Sequence, residues 1–454
     1  MHAQRVILCV RVACVTAPLY GMADLVQSLL SYLDAAPTAF HAVAESAGRL
    51  REAGFVELRE ADAWTLAPGS RAYAIRNGTS LVAFICGQQP ASESGFLAVG
   101  AHTDSPNLRI KPSPELTRSG YRQLGVEVYG GVLLSTWLDR DLSLAGRVLI
   151  ERASQAPHAE LVDFRRALLR IPNLAIHLNR SVNSEGLVLN AQTHLAPILG
   201  LARGAEAASL QTLLARELSS QGCSCQAEQI LGWDLALYDT QRAARAGLAD
   251  EFVQSARLDN LASCFGAVTA LAQARVAHDA CRIIVLYDHE EVGSRSAQGA
   301  YSPFLRQALQ RISQALGAQG PENFARAMAK SFLISADMAH AIHPNYADRH
   351  EPSHAPVLGG GPVLKLNTNQ AYATDGEGAA RFNQLCQRAD VSQQHYVVRS
   401  DLPCGSTIGP ITAAELGLAT IDIGSPLLSM HSIREMAAAA DVLSLAKLLE
   451  VFFD

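Results

Sequence analysis

Five short apolar runs punctuate the chain, at Leu81–Cys86, Gly95–Ala101, Arg282–Tyr287, Phe332–Ala336 and Ala419–Ile423. Each has the length of a strand and lacks the polar alternation of a half-exposed one, the pattern of strands covered on both faces. Between them the period lengthens to that of a helix, over 260–276 after Asp259, over 302–317 and over 432–452. The same period opens at Met22, with Leu25, Leu29, Leu30 and Leu33. Buried strands alternating with amphipathic helices predict an α/β fold, a mixed, mostly parallel sheet sandwiched by helices. From about 105 to 240 the texture changes to β-like pieces, Val126–Tyr129, Arg147–Ile150 and Leu187–Asn190, with little strand–helix alternation. This predicts an inserted β-rich domain, 105–241, inside an α/β domain made of 22–104 and 242–454.

The polar residues that follow the apolar runs are more informative than the runs. Gly95–Ala101 leads into His102-Thr103-Asp104, and Arg282–Tyr287 into Asp288-His289-Glu290-Glu291. Phe332–Ala336 leads into Asp337, and His431 follows the last run closely. In an open α/β sheet the ligand crevice lies beyond the carboxyl ends of the strands, so these groups gather at one edge. Asp259, just ahead of a helix, adds a fifth ligand candidate. His102, Asp259, Asp337, His431 and one of the two glutamates make a mixed nitrogen and oxygen donor set suited to zinc, with cobalt or manganese able to substitute. One zinc uses three or four such groups, whereas five with one shared carboxylate suit two metals. Glu290 and Glu291 point to opposite sides of an extended backbone, so one can bind metal while the other serves as general base. Asp104 is placed to accept the second imidazole N–H of His102 and fix its tautomer.

Taken singly, His102 and His431 read as surface histidines, the Glu-Glu pair as a solvated turn, and Asp259 and Asp337 as capping or turn residues. Their joint placement at the ends of successive strands favours the metal site. Composition narrows the remaining choices. With 49% hydrophobic and 18% charged residues the 454-residue chain is globular, and a net charge of −6 gives no general attraction to nucleic acid. No apolar run approaches the roughly 18 residues of a membrane span. Nine scattered cysteines read as reduced thiols in a cytoplasmic protein. Residues 1–21, apolar but broken by Arg11 and without a cleavage site of the small-residue type, read as an upstream extension.

The segments AHTDSP (101–106), RLDNL (257–261), DHEEVGS (288–294), SADMAH (335–340), DLPCGSTIGP (401–410) and SPLLSMHSIRE (425–435) resemble the M18 metallopeptidases, the aspartyl aminopeptidase family, and its bacterial branch in particular. The six motifs occur in the family's order and span the chain from about Met22 to its end. The resemblance implies two zinc ions per subunit. His102, Asp259 and Asp337 would hold one, and Asp259, Glu291 and His431 the other, with Asp259 bridging. It also separates the two glutamates, making Glu290 the base and Glu291 the ligand.

The resemblance further implies substrate contacts at His340, Lys365 and Tyr372. The lysine would pair with the side-chain carboxylate of an N-terminal Asp or Glu, although on composition alone it reads as a solvated lysine. His177, in the insertion, would reach the active site of a neighbouring subunit. That implies dimerisation through the insertion and a homo-oligomer, a dodecamer built from dimers, that acts on peptides. The alternatives are a broad-specificity aminopeptidase or deacylase on the same scaffold, and a non-catalytic assembly subunit. Three weaker signals carry little. Gly359-Gly360-Gly361 lacks the Lys-Ser/Thr of a phosphate loop and predicts a tight bend, and Ser406 lacks a nucleophile-elbow context. The histidines His343, His350 and His354 read as a polar loop rather than a third metal centre.

Overall fold

The computed structural model describes residues 22–152, 156–202, 208–275 and 277–454. The extension 1–21, Cys9, Cys14 and Val276 therefore lie outside the described residues. Among these residues a nine-stranded sheet forms the centre, with Cys281–Tyr287, Phe96–His102, Phe332–Ala336 and Ala419–Gly424 side by side and mutually parallel. Antiparallel strands Arg71–Arg76 and Ser80–Ile85 flank one side, and Val363–Lys365 pairs antiparallel on the other. The sheet is thus mixed, with a parallel centre. Its strands carry apolar side chains on both faces because both faces are covered. Helices Met22–Ala35, Ala39–Glu52, Leu258–Gln273, Gly376–Ala389 and Ala439–Phe453 pack one face. Helices Phe304–Ala315, Gly320–Ala329 and Ile408–Leu416 pack the other. Leu258–Gln273 is buried nearly all round, so it lacks the polar face that an amphipathic helix over 260–276 would have.

Between Asn107 and Asp239 the chain builds a separate six-stranded antiparallel sheet with its own core, including Leu108, Leu144, Val148 and Leu214. Ile433, which follows His431, packs into that core and ties the two units together. Two local expectations fail. Leu187–Asn190 forms no strand: Leu187 and Val188 are exposed in an irregular segment, so the short apolar pattern had no sheet to join. The last helix starts at Ala439, not 432, because Glu435–Ala438 is a strand paired antiparallel with Phe252–Ser255. The small apolar residues there fit either state, and the sheet partner decides it. The glycine triplet makes the expected bend, with Gly359 and Gly361 at φ of 85° and 91° and both N–H groups donating to Asp441.

Candidate active site

The parallel centre delivers its polar termini to one edge. In register, Tyr287 sits beside His102 and Ala336 beside Ile423, so the residues after these positions meet. His102 and Asp259 are buried, and Glu291 joins them with ligand atoms all within 4.8 Å of one another. His102 Nε2 lies 3.5 Å from Asp259 Oδ1 and 3.4 Å from Asp337 Oδ1. On the other side, His431 Nε2 lies 3.5 Å from Asp259 Oδ2 and 3.3 Å from Glu291 Oε2. Each oxygen of Asp259 therefore faces a different histidine–carboxylate pair. Glu290 stands at the rim, with Oε2 3.9 Å from His102 Nε2.

The sequence predicts the Asp104 carboxylate as the partner of His102, and in the structure the backbone carbonyl of the same residue shares that role. His102 Nδ1 meets the backbone carbonyl of Asp104 at 3.0 Å, while the carboxylate oxygen is 3.4 Å away. The carboxylate holds further donors: it accepts the backbone N–H groups of Glu290 and Glu291, each at 3.1 Å, and the Tyr129 hydroxyl at 2.6 Å. Asp104 thus seats both glutamates. Tyr129 belongs to the β-rich unit, as does Gly131, whose carbonyl meets His431 Nδ1 at 3.0 Å. Side chains at the Gly130-Gly131 pair would crowd the site, because a Cβ would come within 3.1 Å of Glu291 and of His431 respectively.

The electrostatics call for cations. Asp104, Asp259, Glu291, Asp337 and Glu435 crowd into a space where Lys365, bonded to Asp337 at 3.2 Å, is a buried counter-charge. Burial pushes Glu290 up to about 8, with Asp337, Asp104 and Asp259 adding to the rise and His102 opposing it. Burial also raises Glu291, helped by Asp259. Burial alone would lower His102, yet its carboxylate neighbours hold it well above the usual histidine range. Asp259 Oδ1 and Glu291 Oε1 are buried without hydrogen-bond partners. Buried carboxylate oxygens without hydrogen bonds in a nitrogen and oxygen donor set fit a divalent metal such as zinc.

The second set of expected residues falls into two groups. Lys365 is buried with its Nζ 5.5 Å from the Tyr372 ring centre, and the His340 and Tyr372 rings both lie against Tyr396. These form one wall beside Asp337. His177 is exposed on the turn Ile176–Leu178, and among the described residues no hydrogen bond or ion pair links it to the cluster. The histidines of 343–356 bond within their own loop, His343 N–H to His350 and His354 to Glu351.

A family model described as "Aminopeptidase I zinc metalloprotease (M18)" matches residues 32–453. The chain belongs to the M18 family of zinc metallo-aminopeptidases. A "Probable M18 family aminopeptidase 2" of Pseudomonas aeruginosa is 52% identical over 433 residues, 95% of this chain and 98% of that relative. Among solved structures, that of "the Ape4 and Nbr1 complex" has a TM-score of 0.92 at 42% identity, covering 95% of this chain and 86% of that one. The yeast "mApe1 dodecamer" (S. cerevisiae) has a TM-score of 0.82 at 31% identity, covering 95% and 96%. This M18 aminopeptidase has no helix among its described residues long and apolar enough to cross a membrane, and none of the seven described cysteines is in a disulfide.

Sequence reasoning missed Tyr129, Gly131 and Glu435. Glu435 closes the quoted SPLLSMHSIRE motif and accepts the backbone N–H groups of His431 at 2.8 Å and Asp259 at 3.1 Å. Its spacing of four from His431 was the available signal.

Proposed function

We propose that this M18 aminopeptidase uses two zinc ions to remove N-terminal Asp and Glu residues from peptides. The observation that carries the reading is the division of Asp259, one oxygen toward His102 and Asp337 and the other toward His431 and Glu291. A shared carboxylate between two donor sets is what a two-cation site requires. When bound, zinc polarises the scissile carbonyl and acidifies water. Glu290, at the rim and seated by Asp104, takes the proton of the attacking water and hands it to the leaving amine. Carboxylates beside the cluster anchor the free α-amino group, which confines cleavage to the first residue.

The acidic preference rests on Lys365. A buried ammonium beside Tyr372 and His340 carries three donors, one of them on Asp337, and a carboxylate guest can take another as a charge-assisted bond that a neutral side chain cannot equal. His177 supplies a contact to the site of a neighbouring copy, through a dimer built on the β-rich unit 105–241. Its exposed Leu174, Ile176 and Leu178 support an interface there. A dodecamer of such dimers, placed in the cytoplasm by this reading, agrees with the assembly of the yeast relative. Hydrolysis of Asp, Glu and Leu chromogenic amides, with chelator and metal add-back, tests the reading. Metal-dependent cleavage confined to Asp and Glu is expected, and equal cleavage of Leu would overturn the acidic pocket.

A further inference from the structure

Glu435 is buried at the start of the strand Glu435–Ala438, on the wall of a cavity of about 330 Å³ between the two units. Its two carboxylate oxygens divide between two backbone N–H groups, Oε1 taking that of His431 and Oε2 that of Asp259. Neither donor has a regular secondary-structure partner. Asp259 interrupts its helix with φ −81° and ψ 104°, and His431 sits in the left-handed region at φ 67°. A buried N–H outside a helix or sheet ladder still needs an acceptor, here a side chain, and a non-glycine residue at positive φ persists only where its surroundings hold it. Here the same carboxylate answers both needs. It spans the two residues whose side chains approach to 3.5 Å across the second donor set.

We propose that Glu435 is a positioning residue, fixing Asp259 and His431 relative to each other so that the second cation position forms. This rests on the two-zinc reading above. The requirement is for two acceptor oxygens on one side chain. A glutamine offers one, and its amide N–H groups would face the other backbone donor. The position made by Asp259, Glu291 and His431 depends on both contacts, whereas that made by His102, Asp337 and Asp259 touches Glu435 through Asp259 alone.

The test is zinc titration of the metal-stripped full chain against a chromophoric chelator, for the wild type and Glu435→Gln, with thermal melting of both metal-free forms. The wild type should take two equivalents. The variant should hold the first within about threefold and the second about 10–100-fold more weakly, with similar metal-free melting and a fall in kcat at little-changed KM. Equal affinity for both equivalents would overturn the proposal, as would a parallel loss of both together with a lowered melting temperature, which marks a general structural role. A wild type that takes fewer than two equivalents would instead sink the two-zinc reading, and this inference with it. Should Glu435→Gln not fold, Glu435→Asp keeps both acceptors on a shorter stem. One methylene shorter, it draws the oxygens back from the His431 and Asp259 N–H groups, so it should show the same selective weakening, and unchanged affinities in it would refute the proposal.

Discussion

The backbone N–H of Glu290 donates to Asp104 Oδ1 at 3.1 Å, so the side chain at the rim of the cluster is held from a strand end next to its own. The other oxygen of Asp104 takes Glu291 N–H and the Tyr129 hydroxyl. Asp104 therefore acts on placement. Asp104→Asn replaces an acceptor with a donor facing a backbone N–H, and should lower kcat by about 10–100-fold with most of the zinc retained. Tyr129→Phe leaves Asp104 both backbone donors and should cost less, about tenfold or under. Steady-state kinetics with metal analysis checks both. Wild-type kcat in Asp104→Asn would remove this role.

Glu290 stands at the rim, 3.9 Å from His102 Nε2, and is the proton carrier of the proposed reaction. Glu290→Gln keeps its shape and removes its basicity. It should lower kcat by about 10²–10⁴-fold while zinc content stays at the wild-type level. Substantial residual turnover with full metal would move the base elsewhere.

Much of this site was legible because the strands that carry it are apolar throughout. Phe96–His102 and Phe332–Ala336 end where their apolar runs end, and His102 and Asp337 stand just there. The rest depends on contacts that no local pattern encodes. Glu435 looks like any surface acid until the strand Phe252–Ser255 pairs with its own strand and buries it. Tyr129 reads as a strand residue, and only the docking of the β-rich unit brings its hydroxyl to Asp104. The Asp104 carboxylate was assigned to His102 because spacing allows it. The backbone carbonyl lies nearer at 3.0 Å, and the carboxylate, 3.4 Å from His102, takes three other donors as well, which spacing does not reveal. Leu187–Asn190 shows the opposite error, an apolar pattern with no sheet to receive it.

Lys365 tests specificity apart from chemistry. Its ammonium is buried against Asp337, so Lys365→Met removes the charge a substrate carboxylate would meet. The value of kcat/KM for N-terminal Asp substrates should fall on the order of 100-fold or more, with a much smaller change for Leu substrates. An equal loss for both would assign Lys365 to the metal site alone.

Removing the metal should make stability fall as pH rises. In the metal-free chain burial raises Glu290 and Glu435 to about 8, against an unfolded value of 4.5. The folded state then binds more protons than the unfolded state between these values, so each step upward in pH favours unfolding. His102, raised well above 6.5, acts in the same direction, since the stability from its charged form is lost as pH passes its folded value. Asp259 and Asp104, held low, change only at acid pH. The chelated chain should therefore melt lower at about pH 8.5 than at about pH 6.5, and zinc should reduce the difference. A metal-free chain more stable at the higher pH would contradict this account of the cluster.

His177 separates an active site complete in one chain from one completed by a partner. It is exposed and unconnected to its own cluster among the described residues, so in the proposed dimer its contact is made to the other copy. His177→Ala leaves each site without the partner's imidazole, and Glu290→Gln leaves each site without its base. Each variant alone should be nearly inactive. Unfolded together and refolded as a mixture, they should form mixed dimers in which the His177→Ala chain keeps Glu290 and receives His177 from its partner. One site in each mixed dimer is then whole, and activity should reappear at up to about a quarter of the wild-type level, as random pairing of equal amounts dictates. Size-exclusion chromatography of the mixture confirms assembly before the assay. If assembled mixtures stay as inactive as the separate variants, His177 acts within its own chain or not at all, and the shared site is wrong.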